Sequence, residues 1–334
     1  MTHHTIAIHH VEQILQGPER RGIRTGPLLQ RAGISPALMD APLARVSQEQ
    51  YASLLRIVQR ALRDEFWGLC SRPLPLGSFA QCCRLLIHSP TLAEALRVGF
   101  RYFHGQLPDF VARLSVADGL ASVRVASPLK PEPSLLYAER TFLFFTFGLA
   151  SWLAARRIPL LGVDYRGRAP DQGAETDRVF QTRVRYEQPD FGLSFDARWL
   201  QLPMVQNTQS LREFLQAAPA NLLVKYRDKT SVTERIRRLL RSHLRDEMPS
   251  LEAVGRSLAM TAQTLRRRLR EEGQGFQTLK DNLRRDAAIE YLARPDMTLL
   301  DIADQLGFSE ASTFHRAFKK WTGVAPGEYR QRHR

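Results

Sequence analysis

The stretch Leu299–Trp321 reads LLDIADQLGFSEASTFHRAFKKW, and a looser counterpart, LEAVGRSLAMTAQTLRRRLR, occupies Leu251–Arg270. Leu251, Val254 and Leu258 recur 48 residues on as Leu299, Ile302 and Leu306. Leu265 and Leu269 recur 49 residues on as Phe314 and Phe318, so the extra residue falls between two helices. Apolar residues keep helical spacing on both sides of a short break, Ala259-Met260 in one copy and Gly307-Phe308 in the other. Thr261 and Ser309 follow the breaks, and both are N-cap residue types. The spacing predicts helices over 250–258 and from 261, then over 298–306 and from 309. Helix, tight turn and amphipathic second helix make a helix-turn-helix unit, here in two copies.

In such a unit the second helix lies in the major groove, and its early residues meet base edges. Leu265 and Leu269 must face the core, which turns Gln263, Thr264, Arg266, Arg267 and Arg270 elsewhere. The same offsets in the second copy give Ser312, Thr313, His315 and Arg316, followed by Lys319 and Lys320. Arginine grips guanine bidentately, glutamine grips adenine and a threonine methyl touches thymine. Some of these cations would touch only phosphate. Between the copies, Phe276 to Arg294 carries Phe276, Leu279, Leu283, Ala287 and Tyr291 in helical register. A helix of that length spans about 28 Å, close to the roughly 34 Å between successive major-groove faces.

Charge agrees with that reading. The 334-residue chain carries +14, and the last hundred residues hold 20 Lys+Arg against 13 Asp+Glu, half of the excess in less than a third of the length. A basic run alone is usually a solvated helix face; a duplicated helix pair carrying it favours double-stranded DNA.

Ile302-Ala303, Leu306-Gly307-Phe308-Ser309, Phe314, Arg316–Trp321, Gly323, Pro326 and Tyr329-Arg330 resemble the closing signature of AraC/XylS-family bacterial transcription regulators. The resemblance implies that Gln263, Arg266, Arg267, Ser312, His315 and Arg316 contact bases or backbone, and that promoter DNA and RNA polymerase are partners. The first copy departs from the pattern at Gly255, where alanine is usual, and at Ala262, where proline is common. A mid-helix glycine costs up to about 1 kcal/mol.

Upstream, the pattern is mixed. Val46–Arg63 is periodic, with Ser47 and Gln50 at capping-box positions. Helices are expected over 79–87, 91–103 and 135–155, the last apolar nearly all round. Alternation across Phe110–Ala126 around Asp118-Gly119 signals a hairpin. Leu161–Tyr165 and Gly192–Asp196 read as strands flanking a helical piece near 174–181. The expected organisation is an α/β (α+β) domain over 1–205, a linker over 206–231 and an all-α domain over 232–334. Ala44-Arg45-Val46, Leu85–Leu96, Phe195-Asp196 and Leu202-Pro203 are similar to the arabinose-binding-type sensor region of the same family, as found in ornithine-utilisation regulators. That likeness implies effector binding or homodimerisation. It names no effector.

Phe142, Phe144, Phe145, Phe147 and Trp152, with Phe100, Tyr102 and Phe103, first read as core packing. The sharper alternative is an apolar pocket for an acyl or aromatic acid, with an Arg or Lys holding its carboxylate. His3, His4, His9 and His10 lack partners at ligand spacing and read as a polar terminus, so no metal or cofactor is expected. Cys70, Cys82 and Cys83 suit no disulfide framework, and Cys82-Cys83 read as small hydrophobes, not a redox sensor. The start lacks the apolar run of a signal peptide, and Thr141–Ala155 is too short to span a bilayer, so a cytoplasmic, non-membrane location is expected. No phosphate-binding glycine loop, Gly-x-Ser-x-Gly elbow or His-Glu-x-x-His is present, which argues against an enzyme. Two regulator readings stay open. In one the first domain senses a small molecule; in the other it only dimerises, and a buried cavity with a few polar groups would separate them.

Overall fold

The computed structural model describes residues 5–168, 180, 182, 184–218, 232–246, 248–271, 275–294 and 296–333. His3, His4, most of the helical piece expected over 174–181 and residues 219–231 of the expected linker lie outside them. Packing divides the chain into two compact units: residues 1–12, 24–57 and 229–334 form one, and residues 13–23 and 58–228 the other. The expected boundaries at 205 and 232 follow covalent order. The structure instead draws 1–12 and 24–57 onto the C-terminal helices.

In the second unit, five strands line up in the order β3 (Val111–Ala117), β4 (Leu120–Ala126), β7 (Phe191–Asp196), β5 (Gly162–Asp164), β6 (Val184–Arg185). All neighbours are antiparallel except β5 and β6. Asp118 and Gly119 turn the β3–β4 hairpin with φ of 50° and 75°, the positive pair that a two-residue turn matching strand twist requires. Four helices accompany the sheet: α4 (Ser78–Leu86), α5 (Leu92–His104), α6 (Pro133–Leu153) and α7 (Thr208–Ala217). Thr91 caps α5, accepting from the Glu94 amide. Leu92 N–H donates to the Leu202 carbonyl at 2.9 Å, so two stretches of the family-like sequence meet although 110 residues separate them.

The expected linker begins as structure. Asn207 and Ser210 form a capping box for α7, whose Leu211 and Phe214 are buried, and Phe214 stacks on Trp152 at 4.1 Å. Leu211, Phe214 and Leu215 are the only large apolar residues of this ten-residue helix, too short a run to show periodicity. Cys82 and Cys83 belong to this same core, and burial pushes the Cys82 thiol up to about 12. Neither forms thiolate near neutral pH, in line with their reading as hydrophobes.

Glu139 of α6 is fully buried against Arg166, 3.0 Å away. Burial pushes its carboxyl up to about 7 despite the opposing pull of Arg166. Between about pH 4.5 and 7 the folded chain therefore holds a proton that the unfolded chain has released, and stability falls as pH rises through that window. Glu139→Gln should flatten that part of the Tm–pH profile; a profile unchanged from the parent's would refute the assignment.

The other unit contains α1 (Ile8–Arg20) in part, α2 (Gly26–Arg31) and the first part of α3 (Gln48–Leu62). Ser47 and Gln50 make the expected capping box of α3, at 2.8 and 3.1 Å. The polar terminus takes another form. Thr5–Ala7 is a strand, β1, paired antiparallel with β2 (Arg45–Ser47), and His9 and His10 lie half-buried in α1. Each strand has only three residues, below the length at which alternation can be read.

Candidate nucleic-acid interface

Every regular element among the described residues of the C-terminal region is a helix: α8 (Val232–Arg241), α9 (Leu251–Leu258), α10 (Ala262–Glu271), α11 (Phe276–Leu292), α12 (Leu299–Gln305), α13 (Ala311–Thr322) and α14 (Pro326–His333). Each copy of the helix pair is set by its caps. Ser250 Oγ accepts from the Ala253 amide to start α9, and Thr298 with Asp301 forms a full capping box on α12. Thr261 Oγ1 accepts from the Thr264 amide at 3.1 Å and starts α10 as expected. Ser309 does not do the same for α13. Glu310 takes the N-cap position in extended conformation, its carboxylate accepts from the Ser312 hydroxyl at 3.0 Å, and Ser309 stays exposed in the turn.

The turns explain Gly255. A Cβ there would lie 2.6 Å from the Met260 carbonyl oxygen, so the returning chain needs a glycine at this contact. What reads as a helix cost in the sequence is the condition for a tight turn. The same turn places Ala259 at φ 53°, ψ 44°, a left-handed conformation that the second copy gives to Gly307. Ala259→Gly should stabilise the chain by about 0.5–1 kcal/mol, the left-handed strain relieved less the entropy glycine adds to the unfolded chain. A higher urea midpoint at unchanged slope would show it; a lower midpoint would refute it.

Leu265, Leu269, Phe314 and Phe318 are all 1% exposed or less, which fixes the opposite faces of α10 and α13. Gln263, Arg266, Arg267 and Arg270 are exposed on α10, and Ser312, Arg316, Lys319 and Lys320 on α13; Thr261 is exposed as well. Thr264, Thr313 and His315 are half-buried, Thr264 bonding Thr261 and His315 standing edge-on to Phe314. Arg267 lies midway between two inward leucines, and Arg316 midway between two inward phenylalanines. They are equivalent points of the two copies and project directly away from the core. Arg266 flanks them and forms a 3.7 Å pair with Glu252, both more than half exposed. Such a pair is worth little and leaves the guanidinium available. Arg268 is exposed on the other flank of α10 and was not among the sequence candidates.

Helix α11 ends two residues earlier than expected; its 17 residues span about 26 Å. Leu279, Leu283 and Ala287 are buried, whereas two cations tie its flanks to the turns. Lys280 donates to the Met248 carbonyl at 3.1 Å; Arg284 donates to the Leu306 carbonyl at 3.2 Å and covers the Phe308 ring at 5.2 Å. Phe308, the residue after Gly307, is thus held by α11.

The N-terminal strands complete this unit. Thr5 donates to Asp286 of α11 at 2.6 Å, Arg45 donates to Thr5 Oγ1 at 2.7 Å and to its carbonyl at 2.8 Å, and Tyr329 of α14 donates to the Arg45 carbonyl. Tyr329 is fully buried, and burial pushes its phenol well above the ordinary range. Sequence reasoning missed this network because its members lie up to 284 residues apart.

In the other unit, α4, α5, α6, α7 and the 65–74 loop surround a cavity of about 260 Å3. Phe66, Trp67, Phe79, Phe100, Phe103, Phe142 and Phe145 supply its aromatic walls. Phe103 meets Phe142 edge-to-face at 5.5 Å and Trp67 meets Phe145 at 5.9 Å. Its polar groups are Gln59, Glu65 and Thr146; no Lys or Arg lines it among the described residues. The aromatic cluster is therefore core and cavity wall at once. The cation expected to hold a carboxylate is not among the described residues of that wall.

Residues 22–204 match the arabinose-binding domain of AraC transcription regulators (N-terminal), and residues 254–332 match a helix-turn-helix domain. The chain belongs to the AraC family of transcription regulators and is a DNA-binding regulator with a ligand-binding-type N-terminal domain. It is 25% identical to the ornithine utilization regulator of Pseudomonas aeruginosa over 98% of this chain and 96% of that one. It is 27% identical to the regulator VirS of Mycobacterium tuberculosis over 91% and 90%. Among solved structures it is similar to the transcriptional regulator CdpR of Pseudomonas aeruginosa, with 20% identity, 96% and 98% coverage and a TM-score of 0.30.

Proposed function

We propose that this chain is a homodimeric, cytoplasmic transcription activator. A small molecule bound in its N-terminal domain changes how the two helix pairs engage a promoter and present the protein to RNA polymerase. Arg267 and Arg316 carry the reading of sequence, supported by their equivalent, outward, exposed places on α10 and α13. Arg270, Lys319 and Lys320 hold phosphate. The observation that favours sensing over dimerisation alone is the ligand-sized cavity with a few polar groups in the other unit. Control then requires that the effector bind two arrangements of the protein with different affinities.

The test is selection of binding sites from random DNA with the full chain. A fragment starting near 225 would lose Thr5 and Arg45 and strip the partners of Asp286 and Tyr329. The expected product is a site with two conserved blocks about one helical turn apart, doubled if the protein binds as a dimer. Enrichment of a single short block would overturn the tandem reading. Binding without any enrichment would reduce the helices to nonspecific phosphate holders.

A further inference from the structure

Packed interiors rarely keep a space much larger than a water molecule, so a 260 Å3 cavity lined by seven aromatic side chains is of ligand size. An apolar cavity of about 150 Å3 accepts benzene; by that scale this one holds about ten non-hydrogen atoms, a fused two-ring system and not a long acyl chain. Its walls present ring edges and faces already in edge-to-face contact, into which another flat ring fits.

The polar end is set by Glu65. Gly77 donates to one carboxylate oxygen at 2.7 Å and Phe79 to the other at 2.6 Å, both amides from the start of α4. The carboxylate is thereby fixed at the cavity wall, with a lone pair left on each oxygen. Asp64 beside it is fully buried and accepts from the amides of Phe66, Gly68 and Leu74, at 2.8 Å each, which locks the loop carrying Phe66 and Trp67. With no Lys or Arg on the wall among the described residues, a bound acid would place a second negative charge against Glu65. A neutral hydroxyl would instead donate to it. Burial pushes the Glu65 carboxyl up, while the Phe79 and Gly77 amides that it accepts from pull it back down.

We propose that this cavity binds a flat aromatic alcohol of about ten non-hydrogen atoms, with its rings among Phe100, Phe103, Phe142 and Phe145 and its hydroxyl donating to Glu65. This rests on the reading of the N-terminal domain as a sensor and gives that sensor a ligand class. Leu215 and Ala218 also line the cavity, so its wall includes the end of α7.

The test compares 2-naphthol with 2-naphthoate, the same ring system ending in a donor or an anion, by calorimetry and thermal shift on the full chain near pH 7.5. The naphthol should bind at least tenfold more tightly. Ala150→Leu and Thr146→Leu, each adding volume at the wall, should weaken it at least tenfold, and Glu65→Gln should bring the two ligands' affinities closer together. Naphthoate binding as tightly as the naphthol and lost in Ala150→Leu would overturn the ligand class. Naphthol binding unaffected by both filling variants, or absent in the parent chain, would overturn the site. DNA affinity measured alongside separates the two readings: naphthol binding that leaves DNA affinity unchanged supports the site and removes the sensor reading, whereas intact DNA binding without naphthol binding removes the site alone.

Discussion

Arg316→Ala is expected to weaken binding to the cognate DNA site by about 1–3 kcal/mol, roughly 5- to 150-fold, and to relax specificity at one base position. Arg267→Ala should do the same at a position about one helical turn away. The argument is positional. Both side chains are exposed, and both lie midway between two fully buried apolar residues of their helix, so their faces are pinned by the core. Alanine removes the bidentate arginine–guanine contact expected of each. Because the two sites sit in separate helix pairs, their losses should add. Lys320→Ala provides the contrast: as a phosphate contact it should weaken all sequences alike and lower the salt slope by about one unit. Competition binding against a panel of single-base variants at two salt concentrations measures all three. Equal loss on every sequence for Arg316→Ala would move that arginine to the phosphate backbone.

The legible part of this protein is the part built from local pattern. The duplicated helix pair, the Thr261 cap, the capping box at Ser47 and the Asp118-Gly119 hairpin all depend on residues within a few positions of one another, where side-chain period and cap chemistry act directly. Three things escaped. Helix α7 has only Leu211, Phe214 and the partly buried Leu215 to mark its inner face, so its sequence resembles a linker. The strand pair Thr5–Ala7 and Arg45–Ser47 is stabilised by contacts to Asp286 and Tyr329, which no local window contains. The aromatic cluster near 142–152 was legible as apolar surface, but composition does not separate core from cavity wall; only three-dimensional packing shows where rings fail to close on one another. The sign of the polar group was hidden for the same reason, since Glu65 is 77 residues from Phe142 in sequence.

Gly307→Ala should be among the most damaging single-methyl changes in the chain, costing about 2–5 kcal/mol. Two terms combine. The residue sits at φ 70°, a left-handed conformation that costs a side-chain-bearing residue about 1–2 kcal/mol. Its added Cβ would also meet three backbone carbonyl oxygens, those of Asp246 at 2.8 Å, Leu244 at 3.1 Å and Arg245 at 3.2 Å. Backbone atoms cannot rotate aside as a side chain does, so overpacking adds about 1–3 kcal/mol. Gly119→Ala isolates the first term, because Gly119 has φ 75° and open space where its Cβ would be. The difference between the two variants' urea stabilities should therefore equal the clash alone. Relief of that clash requires the α12–α13 turn to shift away from 244–246, which carries Phe308 off Arg284 and tilts the helix that bears Arg316. Specific DNA binding should fall with stability in Gly307→Ala and stay intact in Gly119→Ala. If the two variants lose equal stability, the close approach of residues 244–246 is not what demands a glycine at 307.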